Sequence, residues 1–142
     1  MTKIEGLECI LLVDDDKATN YYHNLVITHS GVDTHVQIAT NAQQALDFLK
    51  NEGEFAHKST FPKPGLILLD INMPGLSGWD FMSQYEFLPE HQKGKIVVAM
   101  LTTSLNPDDE KKALANKEIF QLINKPLTED KLLDTIKEGF SK

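Results

Sequence analysis

Five side chains in this sequence have the chemistry to share one reaction if folding gathers them: Asp14, Asp15, Asp70, Thr102 and Lys125. Each stands at the end of an apolar run. Asp14-Asp15-Asp16 follows Ile10-Leu11-Leu12-Val13, and Asp70 follows Leu66-Ile67-Leu68-Leu69. Thr102-Thr103-Ser104 follows Lys95–Leu101, and Lys125-Pro126 follows Ile119–Ile123 and Asn124. Carboxylates crowded into one crevice repel unless a cation relieves them. Oxygen-only donors favour a hard ion, and a shallow site with few protein ligands suits Mg²⁺, which keeps several waters. A lysine beside that ion supplies a point charge, and a threonine hydroxyl supplies a donor, so together they receive a phosphoryl group. Asp70 is then the nucleophile, forming an acyl phosphate. Each residue also has a plainer reading: an ordinary strand-end acid, a solvated acidic turn with Asp16 as a helix cap, a satisfied hydroxyl, a loop Lys-Pro. Only the joint arrangement discriminates.

The elements that would gather them are legible from periodicity and turn chemistry. Runs that are apolar at every position, such as 10–13, 66–69 and 96–101, belong to strands buried on both faces. A helical pattern runs from Lys17 to about His29, with Leu25, Val26 and His29 near one face and Gly31 closing it. Val32–Ala39 reads as a strand. Asn41 looks like an N-cap with Gln44 three residues on, opening a helix whose stripe is Ala42, Ala45, Leu46, Phe48 and Leu49 and which ends near Gly53. Residues 53–64 read as a long exposed loop. A third helix is expected from Gly78 to Leu88, ended by Pro89, with Trp79, Phe81, Met82 and Tyr85 as core. Asn106-Pro107-Asp108-Asp109 marks the next helix start, to about Asn116. Thr128 caps a last amphipathic helix bearing Leu132, Leu133, Ile136 and Phe140. Five strands alternating with five helices imply a doubly wound α/β domain with an all-parallel sheet, so that all carboxyl ends share one edge.

Composition narrows the partners. At 142 residues the chain fits one domain, 1–142 with its core over 8–140, and a net charge of −7 argues against nucleic acid and anionic lipid. The lone Cys9, inside an apolar run, excludes an internal disulfide. No apolar stretch reaches transmembrane length and the N-terminus lacks a signal-peptide core, so a cytoplasmic protein is expected. The five histidines do not cluster at metal-ligand spacing and read as surface or packing residues.

Taken together, Val13-Asp14-Asp15, Asp70-Ile71-Asn72-Met73-Pro74 with Gly78, Thr102 and Lys125-Pro126 resemble the receiver domain of two-component response regulators, from Ile10 to Phe140. The resemblance implies a flavodoxin-like sheet of strand order 2-1-3-4-5. It implies Asp70 as phosphoacceptor, with Asp15 and Asp70 ligating Mg²⁺ directly, Asp14 acting mainly through water, and Asn72 giving its backbone carbonyl. Lys125 contacts the phosphoryl group, Thr102 moves to bind it, and the Lys125-Pro126 bond is cis. It implies a stand-alone receiver, not itself an enzyme, that takes its phosphoryl group from a sensor histidine kinase or histidine phosphotransfer protein. An unknown downstream protein then reads a changed surface; no DNA and no membrane are implied. The output face is that of helix four, strand five and helix five, near Phe120 and Lys111/Lys112, and it also serves for a homodimer.

Two positions depart from the family pattern. Leu122 stands three residues before the lysine, where an aromatic is usual, with Phe120 two residues earlier. Thr103 replaces a small residue and narrows access to the site. Ser104 and Asn72 sit where the family tunes dephosphorylation. Two alternatives follow. One is a constitutive protein-binding pseudo-receiver, for which Leu122 leaves room. The other is a haloacid-dehalogenase-like phosphatase, against which Ala18 stands where the Asp14-Asp15-Asp16 pattern needs Thr or Val.

Overall fold

The computed structural model describes residues 2–53, 63–93, 96–104 and 106–140. Its centre is a five-stranded sheet of order β2-β1-β3-β4-β5, every neighbouring pair parallel. The strands are β1 (Cys9–Val13), β2 (His35–Ala39), β3 (Leu66–Asp70), β4 (Val97–Thr102) and β5 (Gln121–Asn124). Around them lie α1 (Lys17–His29), α2 (Ala42–Lys50), α3 (Gly78–Tyr85), α4 (Glu90–Lys93), α5 (Pro107–Ala115) and α6 (Glu129–Phe140). The doubly wound architecture and its strand order are as expected.

Side chains alternate across each strand, and two cores result. Cys9, Leu11 and Val13 of β1 with Ile67 and Leu69 of β3 meet α2 and α3 through Ala45, Leu46, Phe81 and Met82. Ile10, Leu12, Leu66 and Leu68 face the other way, onto Val26 and Ile27 of α1 and Leu132 and Ile136 of α6. Each fully buried aliphatic side chain contributes about 1.5–3 kcal/mol, so the sheet centre is the most strongly held part of the molecule. Cys9 lies wholly inside, and burial pushes its thiol up to about 12. Ahead of the core expected over 8–140, Leu7 is already fully buried and Thr2 bridges to Val32.

The helix starts hold as read. Asp16 accepts from Ala18 N–H at 3.2 Å and from the Thr19 hydroxyl at 2.7 Å. Asn41 accepts from Gln44 N–H at 2.8 Å, Asn106 from Asp109 N–H at 2.8 Å, and Thr128 from Lys131 N–H at 3.2 Å. The Gln44 side chain, however, reaches back to Thr40 N–H rather than to the cap itself.

Several details differ from the expectation. The inward face of α1 carries Asn20, His23, Val26 and Ile27, whereas Leu25 and His29 are exposed. Leu133 of α6 is likewise exposed. The third helix stops at Tyr85, and α4 is a sixth helix that the sequence did not announce. It forms because the Pro89 carbonyl accepts from Gln92 and Lys93. Lys93 is then buried, donating to the Glu86 carbonyl at 3.2 Å and to Glu118 at 3.0 Å. Helix α2 ends at Lys50, where Asn51 takes the left-handed conformation at φ 56°. Of the loop expected over 53–64, residues 54–62 lie outside the described residues.

Candidate functional site

Because all strands run the same way, Asp14, Asp70, Thr102 and Lys125 come to one edge of the sheet. The register is direct: Val13 pairs with Leu69, Asp70 with Leu101, and Thr102 with Asn124. Lys125 N–H donates to the Thr102 carbonyl at 2.7 Å, so the last turn of the edge is tied to its neighbour. The Lys125-Pro126 peptide is cis, and the Lys131 ammonium donates to the carbonyls of Asn124 and Pro126, at 2.8 and 3.1 Å.

Lys125 Nζ lies between two acids, 2.8 Å from Asp14 Oδ2 and 3.2 Å from Asp70 Oδ1. All three side chains are largely enclosed, at 14%, 4% and 8% exposure respectively. Asp14 Oδ1 also accepts from Asp16 N–H at 2.9 Å, and the Asn72 N–H donates to the Asp70 carboxylate. Burial raises the pKa of Asp70 and the charge of Asp14 adds to that, while Lys125 and the Asn72 N–H oppose them. Burial works against the Lys125 charge, but the hydrogen bond and charge of Asp14, then those of Asp70, hold its pKa above the ordinary value.

One oxygen each from Asp14, Asp15 and Asp70 lies within 4.8 Å of the others. That is a hard-donor set of the kind a divalent cation takes, with Asp15 on the exposed side. The residues therefore fit such an ion. Thr102 reaches the same edge fully buried, but its hydroxyl is not turned to the acids. It donates to the Ser104 carbonyl and accepts from Ser104 N–H, both at 3.1 Å.

The loop after Asp70 is fixed locally. Gly75 turns at φ 78°, and Ser77 and Asp80 cap α3 reciprocally, the Ser77 N–H donating to Asp80 at 2.9 Å and the Asp80 N–H to Ser77 at 3.2 Å. A Cβ on Gly78 would stand 2.5 Å from the Asp70 carbonyl oxygen and 2.9 Å from Ile71 Cα. Both are backbone atoms with no room to give. Gly78→Ala is expected to cost about 2 kcal/mol of stability in urea denaturation, by displacing the Asp70 backbone.

Two residues of α1 at the site were not singled out by sequence. Asn20 donates through Nδ2 to the Asp14 carbonyl at 2.8 Å. His23 is buried beside a cavity of about 420 Å³ lined with Ala18, Thr19, Tyr22, Thr103, Lys125 and Pro126. Burial lowers the pKa of His23, the Lys125 charge acts the same way, and Asp14 opposes. The signal that would have found both is spacing: polar residues at 20 and 23 fall on the same helical stripe as 26 and 27. Trp79 packs at the core edge as expected, with its indole N–H donating to Asp109 at 3.0 Å. Lys112 lies 5.4 Å from its ring centroid, toward α3. Leu122 packs half-buried on the core, and Phe120 lies largely exposed.

A parallel α/β sheet with an acid–lysine cluster at its carboxyl edge defines a class that the comparisons identify. The chain belongs to the response regulator receiver domain family, whose profile matches residues 10–137. It is 36% identical over 100 residues to the response regulator Rcp1 of Synechocystis, an alignment covering 70% of this chain and 65% of that protein. A two-component response regulator from Cytophaga hutchinsonii superposes with a TM-score of 0.83 at 28% identity, over 99% of this chain and 100% of that one. The Mn²⁺-bound form of Rcp1 superposes with a TM-score of 0.71 at 30% identity, over 92% of each chain. The protein is thus a receiver domain of the two-component type. Receivers interact with histidine kinases or phosphotransfer proteins. Among the described residues no helix is long and apolar enough to cross a membrane.

Proposed function

We propose that this receiver works in the cytoplasm, accepting a phosphoryl group on Asp70 from a histidine kinase or histidine phosphotransfer protein and acting on no separate substrate. The observation that carries this is Lys125 Nζ held at 2.8 and 3.2 Å from Asp14 and Asp70 at the carboxyl edge of the sheet. Asp70 attacks phosphorus through a carboxylate oxygen; the donor's P–N bond breaks, and its electron pair returns to the imidazole nitrogen. Lys125 neutralises the arriving oxygens, exchanging part of its contact with the acids for contact with the phosphoryl group. Asp14, Asp15, Asp70 and the Asn72 backbone carbonyl would hold Mg²⁺, which would supply positive charge for the phosphoryl oxygens. The hydroxyl of Thr102 leaves Ser104 to donate to the attached group, drawing the Thr102–Ser104 turn and α5 with it.

The output face is that of α5, β5 and α6, where Leu114 and Phe120 stand exposed. A downstream protein or a second copy of the chain docks there. The phosphatase alternative is disfavoured because Ala18 stands where its Asp14-Asp15-Asp16 pattern needs Thr or Val. The test is intact mass after incubation with acetyl phosphate, with and without Mg²⁺. One Mg²⁺-dependent phosphoryl adduct is expected. No adduct, together with no binding of beryllofluoride, would leave a module that works by contact alone.

A further inference from the structure

We propose that Asn20 is a positioning residue for the acid pair: its hydrogen bond to the Asp14 carbonyl fixes the peptide joining Asp14 to Asp15, and thereby sets the divalent-ion affinity of the site. The inference rests on the receiver reading above. Asn20 is 2% exposed in the second turn of α1. Asparagine is a poor residue for a helix interior, and a buried amide costs free energy unless its groups are paired. Here Nδ2 is paired with the Asp14 carbonyl at 2.8 Å. Oδ1 has no hydrogen-bond partner, and it is the one such buried side-chain atom among the described residues. Asn20 shares the inward face of α1 with Val26 and Ile27, where aliphatic side chains are the usual occupants. What asparagine adds is a donor aimed at the loop of acids.

That donor acts on a particular bond. The peptide unit is planar, so holding the Asp14 oxygen sets ψ of Asp14 and φ of Asp15 together. Asp14 has further restraints, from Lys125 and the Asp16 N–H. Asp15 is exposed, and its carboxylate makes no hydrogen bond or ion pair with a described residue. Its position therefore follows from its backbone, which the Asn20 bond to the Asp14 carbonyl restrains together with the Asp16 N–H bond to the Asp14 carboxylate. A neighbour that orients a ligand in this way is worth affinity without touching the ion.

The experiment is a calorimetric Mn²⁺ titration, with thermal unfolding recorded separately in the absence of metal. Asn20→Leu, which removes the amide donor and its unpaired oxygen together, is expected to stay folded yet bind Mn²⁺ about tenfold more weakly. Asn20→Gln, which keeps the amide donor on a longer arm, should bind Mn²⁺ more tightly than Asn20→Leu does. At saturating Mn²⁺, labelling of Asn20→Leu by acetyl phosphate should return to the wild-type rate. Should the leucine variant not fold, the smaller Asn20→Ala carries the same comparison. Wild-type Mn²⁺ affinity in the donor-less variant overturns the inference alone. Absence of Mn²⁺ binding in the wild-type protein overturns the receiver reading as well.

Discussion

Asp70→Asn is expected to abolish the Mg²⁺-dependent phosphoryl adduct while making the fold more stable at pH 7. The first effect follows because an amide is a poor nucleophile. The second follows from linkage. Burial, then the Asp14 charge, raises the pKa of Asp70 in the folded state. The native protein therefore holds that proton more tightly than the unfolded chain does. Stability from this source is complete below about pH 3.9 and declines as pH rises toward the raised folded value. Asparagine mimics the neutral form and lacks that slope. The variant should therefore gain stability at pH 7, and the gain should shrink as pH falls toward about 4. Intact mass and urea denaturation at the two pH values read both effects. A retained adduct in the variant would move the phosphoacceptor elsewhere.

Lys125→Met should produce the largest loss of stability of any change at the site, about 3 kcal/mol at pH 7. Methionine fills the space, but Asp14 and Asp70 are left as two enclosed carboxylates without their cation. Lys125 is also a group that lowers the pKa of Asp70, so its removal raises that pKa further. The destabilisation should accordingly diminish on acidification, as Asp70 protonates. In the wild type, the Lys125 pKa is itself raised, so its contribution is complete below about pH 10.4 and lost as pH climbs through the folded value. The variant should lack that alkaline loss. Mn²⁺ should bind the variant more tightly, because the ammonium no longer competes for the same two acids. Denaturation across pH and a metal titration test this, and weaker Mn²⁺ binding in the variant would contradict it.

Much of this was legible in the chain. Fully apolar runs such as Ile10–Val13 and Leu66–Leu69 declare a buried parallel sheet, because a strand packed by helices on both faces has no polar side. Asp16, Asn41, Asn106 and Thr128 declare helix starts, because a cap bonds backbone only two or three residues away. The acids, Thr102 and Lys125 declare a shared edge once all strands run one way. Rotation of α1 was legible only in the spacing of positions 20, 23, 26 and 27, not in hydropathy. The expected face carried Leu25 and His29, yet the helix turns Asn20 and His23 inward, because Asn20 bonds the Asp14 carbonyl and the sheet end accepts the ring of His23. Hydropathy treats such residues as outward-facing.

What the sequence by itself determined is local: which segments are strands, where helices begin, and which chemical groups end each strand. What only the tertiary structure decided is which partner each group takes. Lys125 meets Asp14 across 111 positions of chain. Thr102 bonds Ser104 rather than an acid. Lys93, at the end of the turn that closes on the Pro89 carbonyl, is buried against Glu118. The physical reason is the same in each case. Short-range hydrogen bonds and periodicity are encoded within a few residues, whereas the choice between competing long-range partners is made by burial, which exists only once the sheet has closed.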